Sequence, residues 1–512
     1  MGTTSSYGQI LRSSSIVGGA QAANYVISLL RVKIVAVLLG PSGVGLIGLY
    51  TSAIGLVGTV SGLGVGASGV REIVRANARD NPEEIARTVI VLRRACWATG
   101  FLGWALAVLF REPISIAMTG SPEHGAAVAL LGATLLLGAV SSGQLALLQG
   151  LRRIGDLARA NVTGALAGSI VTIVIYFALG EAGVVPSLIT AALVTLACSY
   201  WFARRVAFTP ASIGWRETWR GFTGLVGLGL AFMWGGLLSA GVDLLTRAII
   251  VRRFGVEGAG MYQAAWALSG VFASFVLSAM GTDFYPRLTA AIGDREKAVR
   301  AVNEQTEIGV LLALPGLLAA LVFAPLAVRL LYAPQFLPAA ELLPWMALGV
   351  FGRVVSWPVG FVQLAMGASR WFVATETIFF GLQAMMTYWL VERCGIAGAA
   401  YAFAAIYALH VAATLWVARV LIGFTWSREA RAVILTSAGF VGLAFGAQYL
   451  GSHSASLAAG ATLTSVSALF SLRGLAWRLG EDNRLVKWLL LVPGCRHLLA
   501  GRTANLVVGG RK

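Results

Sequence analysis

Charged residues are scarce in this chain of 512 residues, because only 12% of the sequence is Asp, Glu, Lys or Arg. Soluble domains usually carry about twice that share. Acidic residues are the rarer kind, with 22 of them against 39 basic residues. This shortage of charge excludes a soluble domain and a disordered chain.

Cysteine is also scarce, and the four cysteines have no short spacing that would hold a metal or build a disulfide framework. A phosphate-binding Walker loop, a metal-ligand cluster and a nucleophile elbow are all missing from the sequence. Its loops are short, so no soluble catalytic domain interrupts the apolar segments. We therefore expect no enzyme, no catalytic residue, no metal site and no cofactor.

Apolar residues make up 57% of the chain and are spread along its whole length, together with 62 glycines. A membrane-spanning helix needs about 20 mostly apolar residues, and glycines allow such helices to pack closely. The pattern predicts an all-α polytopic membrane protein with about fourteen transmembrane helices. The predicted spans are 15–39, 44–70, 93–110, 126–148, 158–179, 184–203, 222–250, 259–282, 307–331, 339–366, 371–391, 396–418, 431–450 and 455–472.

The basic residues fall mainly on one side of these spans. With both termini inside, 30 of the 39 Lys and Arg residues lie in the predicted inside segments. Cytoplasmic loops carry this excess in membrane proteins. We expect a multi-pass protein of the bacterial cytoplasmic (inner) membrane with both termini cytoplasmic. The net charge of +17 is explained by topology and requires no nucleic-acid partner.

A Gly-x-x-Gly pattern recurs at four of the predicted outside turns. The four copies begin at Gly40, Gly180, Gly255 and Gly395. The interval from the first copy to the third equals the interval from the second to the fourth, and we call this shared interval the repeat offset. Glycines suit these sites because a tight turn between helices needs permissive dihedral angles and close backbone approach.

The repeat offset predicts a duplication into two six-helix lobes, residues 1–206 and 221–420. An extra transmembrane helix pair, 431–472, and a basic cytoplasmic tail, 473–512, would follow. Parallel repeats of this kind are related by an axis along the membrane normal, and the binding cavity lies between them. We expect the tail to lie against the anionic inner leaflet.

Four cationic residues lie inside predicted spans: Arg31, Lys33, Arg247 and Arg353. A cation at mid-bilayer is costly to insert, so such residues usually face a cavity or a partner. The repeat offset puts Arg247 at the place of Val32, between Arg31 and Lys33. These cations predict one anion-binding site. Two alternatives stay open: Lys33 reaches the headgroups by snorkelling, and Arg247 is neutralised by Asp243 one turn earlier.

Acidic groups inside the predicted spans are fewer than the cationic ones. Asp243 and Glu376 are candidates either for carrying a coupling proton or sodium ion or for serving as counter-ions to the cations. A solvated cytoplasmic position is the alternative for Glu376. His410, in the twelfth predicted span, is interpreted as a hydrogen-bonded core histidine.

Four stretches carry a resemblance to a known family. They are LLRVKIVAVLLGPSGVGLIGLY at 29–50, QLALLQGLRRIGDLARANV at 144–162, TDFYPRLTAAIGDREKAV at 282–299 and LLYAPQFLPAAELLPWMALG at 330–349. In their order and spacing the chain resembles bacterial polysaccharide flippases of the O-antigen and enterobacterial common antigen type. These belong to the multidrug/oligosaccharidyl-lipid/polysaccharide exporter superfamily.

The resemblance implies a V-shaped pair of six-helix lobes that work by alternating access around a cationic cavity. It implies a flippase that carries an undecaprenyl-pyrophosphate-linked oligosaccharide from the cytoplasmic to the periplasmic leaflet. Arg31, Lys33, Arg247 and Arg353 would then contact the substrate. Fourteen spans are more typical of the related lipid II flippases, whose extra helices form a groove for the lipid tail, and residues 431–472 are either such a groove or a peripheral addition.

Two other functions remain open at this point. A cation-coupled multidrug antiporter of the same superfamily would share the fold, but its cationic drugs would favour a cavity lined by acids. An O-antigen polymerase or ligase would need a large outside loop with catalytic charges, which the sequence lacks. We expect a monomer in the lipid bilayer that works beside polysaccharide polymerase or assembly proteins.

Overall fold

A computed structural model describes residues 6–79, 81–206, 213–448 and 453–479 of the chain. Within these ranges the regular structure is helical, and most of it is α-helix. The helices are α1 (Ser6–Gly62), α2 (Val65–Ala78), α3 (Pro82–Leu109), α4 (Arg111–Thr119), α5 (Gly125–Gly150), α6 (Ile154–Leu179), α7 (Val184–Ala203), α8 (Trp215–Ala291), α9 (Arg295–Val322), α10 (Ala324–Leu331), α11 (Leu343–Ala365), α12 (Ser369–Cys394), α13 (Ala397–Ile422), α14 (Arg428–Ala447) and α15 (His453–Leu479).

Ten ranges of the described chain are long and apolar enough to cross a membrane. Three of them contain 38 to 50 residues and overlap two predicted spans each: Gly19–Gly62, Ile154–Ala203 and Met233–Gly270. The protein is therefore a multi-pass, all-helical membrane protein, as the sequence predicted. The count of fourteen spans stays a prediction.

The helices form two compact units. The first consists of Met1–Ala264, Val328–Pro338 and Glu376–Ile396, and the second of Ala265–Ala327, Ala339–Thr375 and Ala397–Lys512. In the first unit α5 packs against α3 and α7, whereas in the second unit α11 packs against α9 and α13. The predicted lobe boundaries at residues 206, 221 and 420 stay a prediction.

Helices α3 and α9 each begin at a side-chain cap. The Asn81 carboxamide oxygen accepts the backbone N–H groups of Glu83 and Glu84 at the start of α3. The Asp294 carboxylate does the same for the start of α9. A hydrogen bond from the Lys297 ammonium lowers the pKa of Asp294 below its ordinary value. Such caps satisfy backbone donors that a helix leaves unpaired at its first turn.

The four Gly-x-x-Gly turns share one backbone feature. The first glycine of each copy has a positive φ: 62° at Gly40, 57° at Gly180, 72° at Gly255 and 69° at Gly395. Side chains rarely adopt this region, because Cβ then crowds the backbone. The need for permissive dihedral angles that the sequence suggested for these glycines is therefore confirmed by the turn geometry.

The first unit also contains a contact between helices that depends on two further glycines, Gly45 of α1 and Gly260 of α8. A Cβ atom on Gly45 would lie 2.1 Å from the carbonyl oxygen of Val256, and one on Gly260 would lie 1.9 Å from that of Pro41. The repeat offset relates the two glycines to each other, and it also relates Pro41 to Val256. The contact is reciprocal, because each helix presents a glycine to the other helix's carbonyl group.

The terminal helix α15 packs closely along α9 in the second unit. A Cβ atom on Gly460 would lie 2.4 Å from the Val322 side chain, and one on Gly474 would lie 2.9 Å from Leu311. The contacts run in opposite directions along the two helices, so α15 and α9 are antiparallel. α15 continues to Leu479, which makes the first residues of the predicted tail helical. Residues 480–512, which hold the rest of the predicted basic tail, lie outside the described residues.

A buried ion pair also links α15 to α9. The Arg478 guanidinium contacts the Glu307 carboxylate through Nε at 2.6 Å and through Nη2 at 2.5 Å. Only 15% of the Arg478 side chain and 9% of the Glu307 side chain are exposed. The Ser427 hydroxyl, at the start of α14, donates to the same carboxylate at 3.4 Å. Charged and polar contacts therefore tie both terminal helices to α9.

We expect Arg478→Ala to lower the free energy of unfolding by about 3 kcal/mol or more, because it leaves the Glu307 carboxylate buried without its cation. The double variant Glu307→Gln/Arg478→Gln should recover most of this loss, since it buries no charge. Thermal unfolding of the purified protein in detergent measures both effects. The matched control is Arg473→Ala, which removes an exposed arginine from the same helix. Equal melting temperatures for the Arg478 and Arg473 variants would contradict the role of the pair.

Candidate functional site

Arg247 is buried in the first unit, where it makes hydrogen bonds and an ion pair with neighbouring residues. It is 4% exposed, and its Nε and Nη2 atoms donate to the Gln263 side-chain oxygen at 3.1 and 2.9 Å. Nη1 donates to the Asp243 carbonyl oxygen at 3.0 Å and lies 3.6 Å from the Asp243 carboxylate. The Tyr262 ring lies 5.7 Å from the guanidinium carbon. In this conformation Arg247 fastens two stretches of α8 to each other.

Lys33 of α1 is also held by backbone groups of its own unit. Its ammonium donates to the carbonyl oxygen of Arg329 at 2.9 Å and to that of Tyr332. Both carbonyls lie at or just beyond the C-terminal end of α10, where a helix leaves its last carbonyls without partners and favours a positive charge. Lys33 therefore caps α10 in the structure.

Arg31, two residues earlier on α1, is half-buried. Its positive charge interacts electrostatically with the hydroxyl of Tyr176 in α6. Within the part of the chain that the structure describes, its guanidinium has no hydrogen bond and no ion pair. Unlike Lys33 and Arg247, Arg31 thus has guanidinium donors that no described residue accepts.

Arg353 lies in the middle of α11 in the second unit and is also half-buried. Its guanidinium likewise makes no hydrogen bond or ion pair with another described residue. Its charge acts on His410 of α13, and the His410 Nδ1 atom lies 2.9 Å from the Ser356 hydroxyl. The hydrogen bond agrees with the interpretation of His410 as a bonded histidine inside the helix bundle.

The two carboxylates differ in their surroundings. Asp243 is 39% exposed and lies beside Arg247, which is the arrangement expected of a counter-ion. Glu376 of α12 is half-buried, and its carboxylate has no ion pair or hydrogen bond among the described residues. The next residue, Thr377, accepts a hydrogen bond from Trp234 Nε1 of α8 at 3.0 Å, so this part of α12 lies against α8.

The structure thus places Asp243 beside Arg247. Of the four predicted cations, Lys33 and Arg247 are bonded to other residues. Arg31 and Arg353 have no bonded partner among the described residues.

Sequence reasoning did not identify Gln263, the residue that receives two of the Arg247 hydrogen bonds. A signal for it exists, because Gln263 is a polar residue in an apolar span and the repeat offset relates it to Gly48. A Cβ atom on Gly48 would lie 2.8 Å from the Gln263 side-chain oxygen, so the glycine makes room for that side chain.

Two solved structures have a similar arrangement of helices. The structure of the lipid II flippase MurJ in an inward closed conformation matches with a TM-score of 0.66 and 12% identity, over 90% of this chain and 99% of that one. A multidrug resistance MATE family transporter of the MOP superfamily, in an inward-facing conformation, matches with a TM-score of 0.60 and 17% identity, over 81% of this chain and 96% of that one. The chain therefore shares the fold of these two proteins.

Sequence comparison defines the family. Residues 34–341 match the family model described as polysaccharide biosynthesis protein, and the chain belongs to that family. The lipid III flippase of Escherichia coli strain K12 is 24% identical over 387 residues, which cover 74% of this chain and 90% of the relative. The lipid III flippase of Shigella flexneri matches to the same extent. These relatives are flippases and transporters rather than enzymes, which agrees with the prediction of a non-catalytic protein.

Proposed function

We propose that this protein is a flippase that moves an undecaprenyl-pyrophosphate-linked oligosaccharide from the cytoplasmic to the periplasmic leaflet of the inner membrane by alternating access. The observation that carries the proposal is the pair of half-buried arginines, Arg31 and Arg353, that keep their guanidinium donors unused among the described residues. Membership of the polysaccharide biosynthesis family and the similarity to lipid III flippases support a lipid-linked sugar as the cargo.

A pyrophosphate suits these two arginines for a physical reason. A guanidinium presents its donors in a planar fork that matches phosphate oxygens two at a time, and it keeps its charge at every physiological pH. An arginine inside a membrane protein without an acid beside it is costly, so it usually marks a ligand pathway. Arg31 and Arg353 are therefore the proposed substrate contacts, and Lys33 and Arg247 are proposed to contact substrate only after leaving their present partners.

The carboxylates are assigned different roles in the proposal. Asp243 serves as the counter-ion of Arg247, since the two groups lie 3.6 Å apart. Glu376 is the proposed carrier of a coupling proton or sodium ion, because a carboxylate inside a membrane protein without a cationic partner usually marks an ion or proton pathway. No other cofactor enters the proposal.

The finer assignments follow from the same proposal. The cargo is an O-antigen, enterobacterial common antigen or similar repeat unit, and the carrier works as a monomer with both termini in the cytoplasm. Polysaccharide polymerase or assembly proteins would receive the flipped repeat unit.

Deletion of the gene in its host tests the proposal. We expect surface polysaccharide to be lost and lipid-linked oligosaccharide to accumulate on the cytoplasmic face. In spheroplasts this pool should resist a membrane-impermeant glycosidase and become sensitive after lysis. Plasmid-borne wild-type protein should restore both the surface polysaccharide and the periplasmic exposure of the sugar.

Two outcomes would overturn the proposal. Single repeat units that accumulate on the periplasmic face, already sensitive in intact spheroplasts, would indicate a polymerase or ligase. An unchanged glycan profile together with new sensitivity to cationic dyes would indicate a multidrug antiporter.

A further inference from the structure

A groove of about 320 Å³ lies between α3, α5 and α7 of the first unit. Its sides include the exposed rings of Trp97 and Tyr200. The lining residue Gly143 also lets α5 pack closely on α3, since a Cβ atom there would lie 2.6 Å from the Cys96 sulfur. On the α7 side, the groove is lined by the small side chain of Ala197.

The interior of this groove offers apolar contact. Its remaining aliphatic lining includes Val140, Leu193 and Leu196. The polar side chain inside it, Gln144, is already engaged, because its oxygen accepts the Ser199 hydroxyl at 2.6 Å. A ligand that enters the groove therefore meets hydrocarbon and aromatic surface.

One end of the groove is cationic. Arg93 lines it one helical turn before Trp97, and Arg204 follows Tyr200 by one turn at the C-terminal end of α7. Both arginines are exposed or partly exposed. The Arg204 guanidinium carbon lies 3.7 Å from the Trp201 ring, and neither arginine has an acidic partner among the described residues. Arg204 thus stands beside an aromatic ring, and aromatic residues are enriched at the membrane–water interface.

The size and the charge of the groove restrict its occupant. A transmembrane helix is about 10–12 Å wide and would not enter a groove of this volume, whereas a single hydrocarbon chain would. A free phosphate ion would satisfy the arginines but would leave the apolar part of the groove uncovered. An anionic amphiphile with one chain in the groove and its phosphate at the arginines satisfies both ends.

We propose that this groove is a binding site for an anionic phospholipid of the bilayer, with one acyl chain between α3 and α7 and the phosphate held by Arg93 and Arg204. The proposal does not depend on the flippase function, because the site is formed within the first unit and uses none of the four mid-span cations. Juxtamembrane arginines attract anionic lipids through the same charge complementarity.

Native mass spectrometry of the full-length protein, with phosphatidylglycerol and phosphatidylcholine added in parallel titrations, tests the proposal. We expect phosphatidylglycerol to occupy one site more tightly than phosphatidylcholine. Arg93→Gln and Arg204→Gln should each weaken phosphatidylglycerol binding about fivefold. The matched control is Arg419→Gln, an exposed arginine at the end of α13, which should leave the binding unchanged.

A second variant tests the apolar part of the site. Ala197→Phe fills the groove and keeps both arginines, so the specific phosphatidylglycerol adduct should disappear. Equal binding of the two lipids by the wild-type protein would overturn the proposal, and so would unchanged binding in the Arg93 and Arg204 variants. Displacement of phosphatidylglycerol by an equimolar polyprenyl phosphate would instead show that the groove prefers a carrier lipid, and would overturn the phospholipid assignment.

Discussion

Replacing Arg353 or Arg31 with alanine is expected to abolish export of the polysaccharide while the protein remains in the membrane at its normal level. Each guanidinium is proposed to bind the pyrophosphate, and the loss of hydrogen bonds to a charged group costs about 1.5–3 kcal/mol apiece. Neither guanidinium is bonded to another described residue, so the fold should tolerate both changes. Surface polysaccharide and membrane protein level are measured together in a strain that lacks the chromosomal gene.

Three further variants make this result specific. Arg353→Lys keeps the charge but loses the planar fork, so it should restore export only in part. Arg247→Ala should lower the amount of folded protein, because Gln263 and Asp243 lose the group that they hold. Arg419→Ala removes an exposed arginine from the end of α13 and should behave as wild type. Normal surface polysaccharide in both the Arg353→Ala and Arg31→Ala strains would contradict the anion site.

The second large effect is expected at the reciprocal glycine contact. Gly45→Leu or Gly260→Leu should prevent accumulation of folded protein, because even a Cβ atom at these positions would lie 2.1 and 1.9 Å from a carbonyl oxygen of the facing helix. The atoms at this contact belong to the backbone and cannot rotate away as a flexible side chain could. The two helices would therefore have to move apart. Membrane protein level and the melting temperature in detergent measure the effect.

The control for this prediction is Gly55, which lies on the same helix α1 with nothing within 4 Å of its Cβ position. Alanine favours a helix over glycine by about 1 kcal/mol. Gly55→Ala should therefore leave the melting temperature unchanged or raise it, whereas Gly45→Ala and Gly260→Ala should lower it. A rise in all three variants would show that the contact is looser than described.

The sequence was most informative where local physics decides the structure. Apolar runs identified the helices, and the recurring Gly-x-x-Gly pattern located turns whose first glycines do have a positive φ. The repeat offset also predicts something that the sequence reasoning did not use, since it relates Gly45 to Gly260, and these two glycines contact each other's helices.

The sequence did not predict contacts between distant parts of the chain. The local sequence pattern does not predict that Lys33 donates to the carbonyl oxygen of Arg329. A lysine near the end of a span is equally compatible with snorkelling to the headgroups. Arg478 lies in a stretch interpreted as tail, and Glu307 at the predicted start of a span, so neither predicted the other. Tertiary packing, which one sequence does not display, determines both pairs.

The pairing of Glu307 with Arg478 also sets an order of events during synthesis. The two residues are 171 positions apart, and chains grow at about 5–20 residues per second, so Glu307 is synthesised roughly 10–30 s before Arg478. During that interval the Glu307 carboxylate has no cationic partner from α15, so it must remain at the water interface or be shielded by the insertion machinery. The last described helix is therefore what completes the burial of α9, and a nascent chain that stops before it would leave a carboxylate without its cation in the apolar part of the second unit.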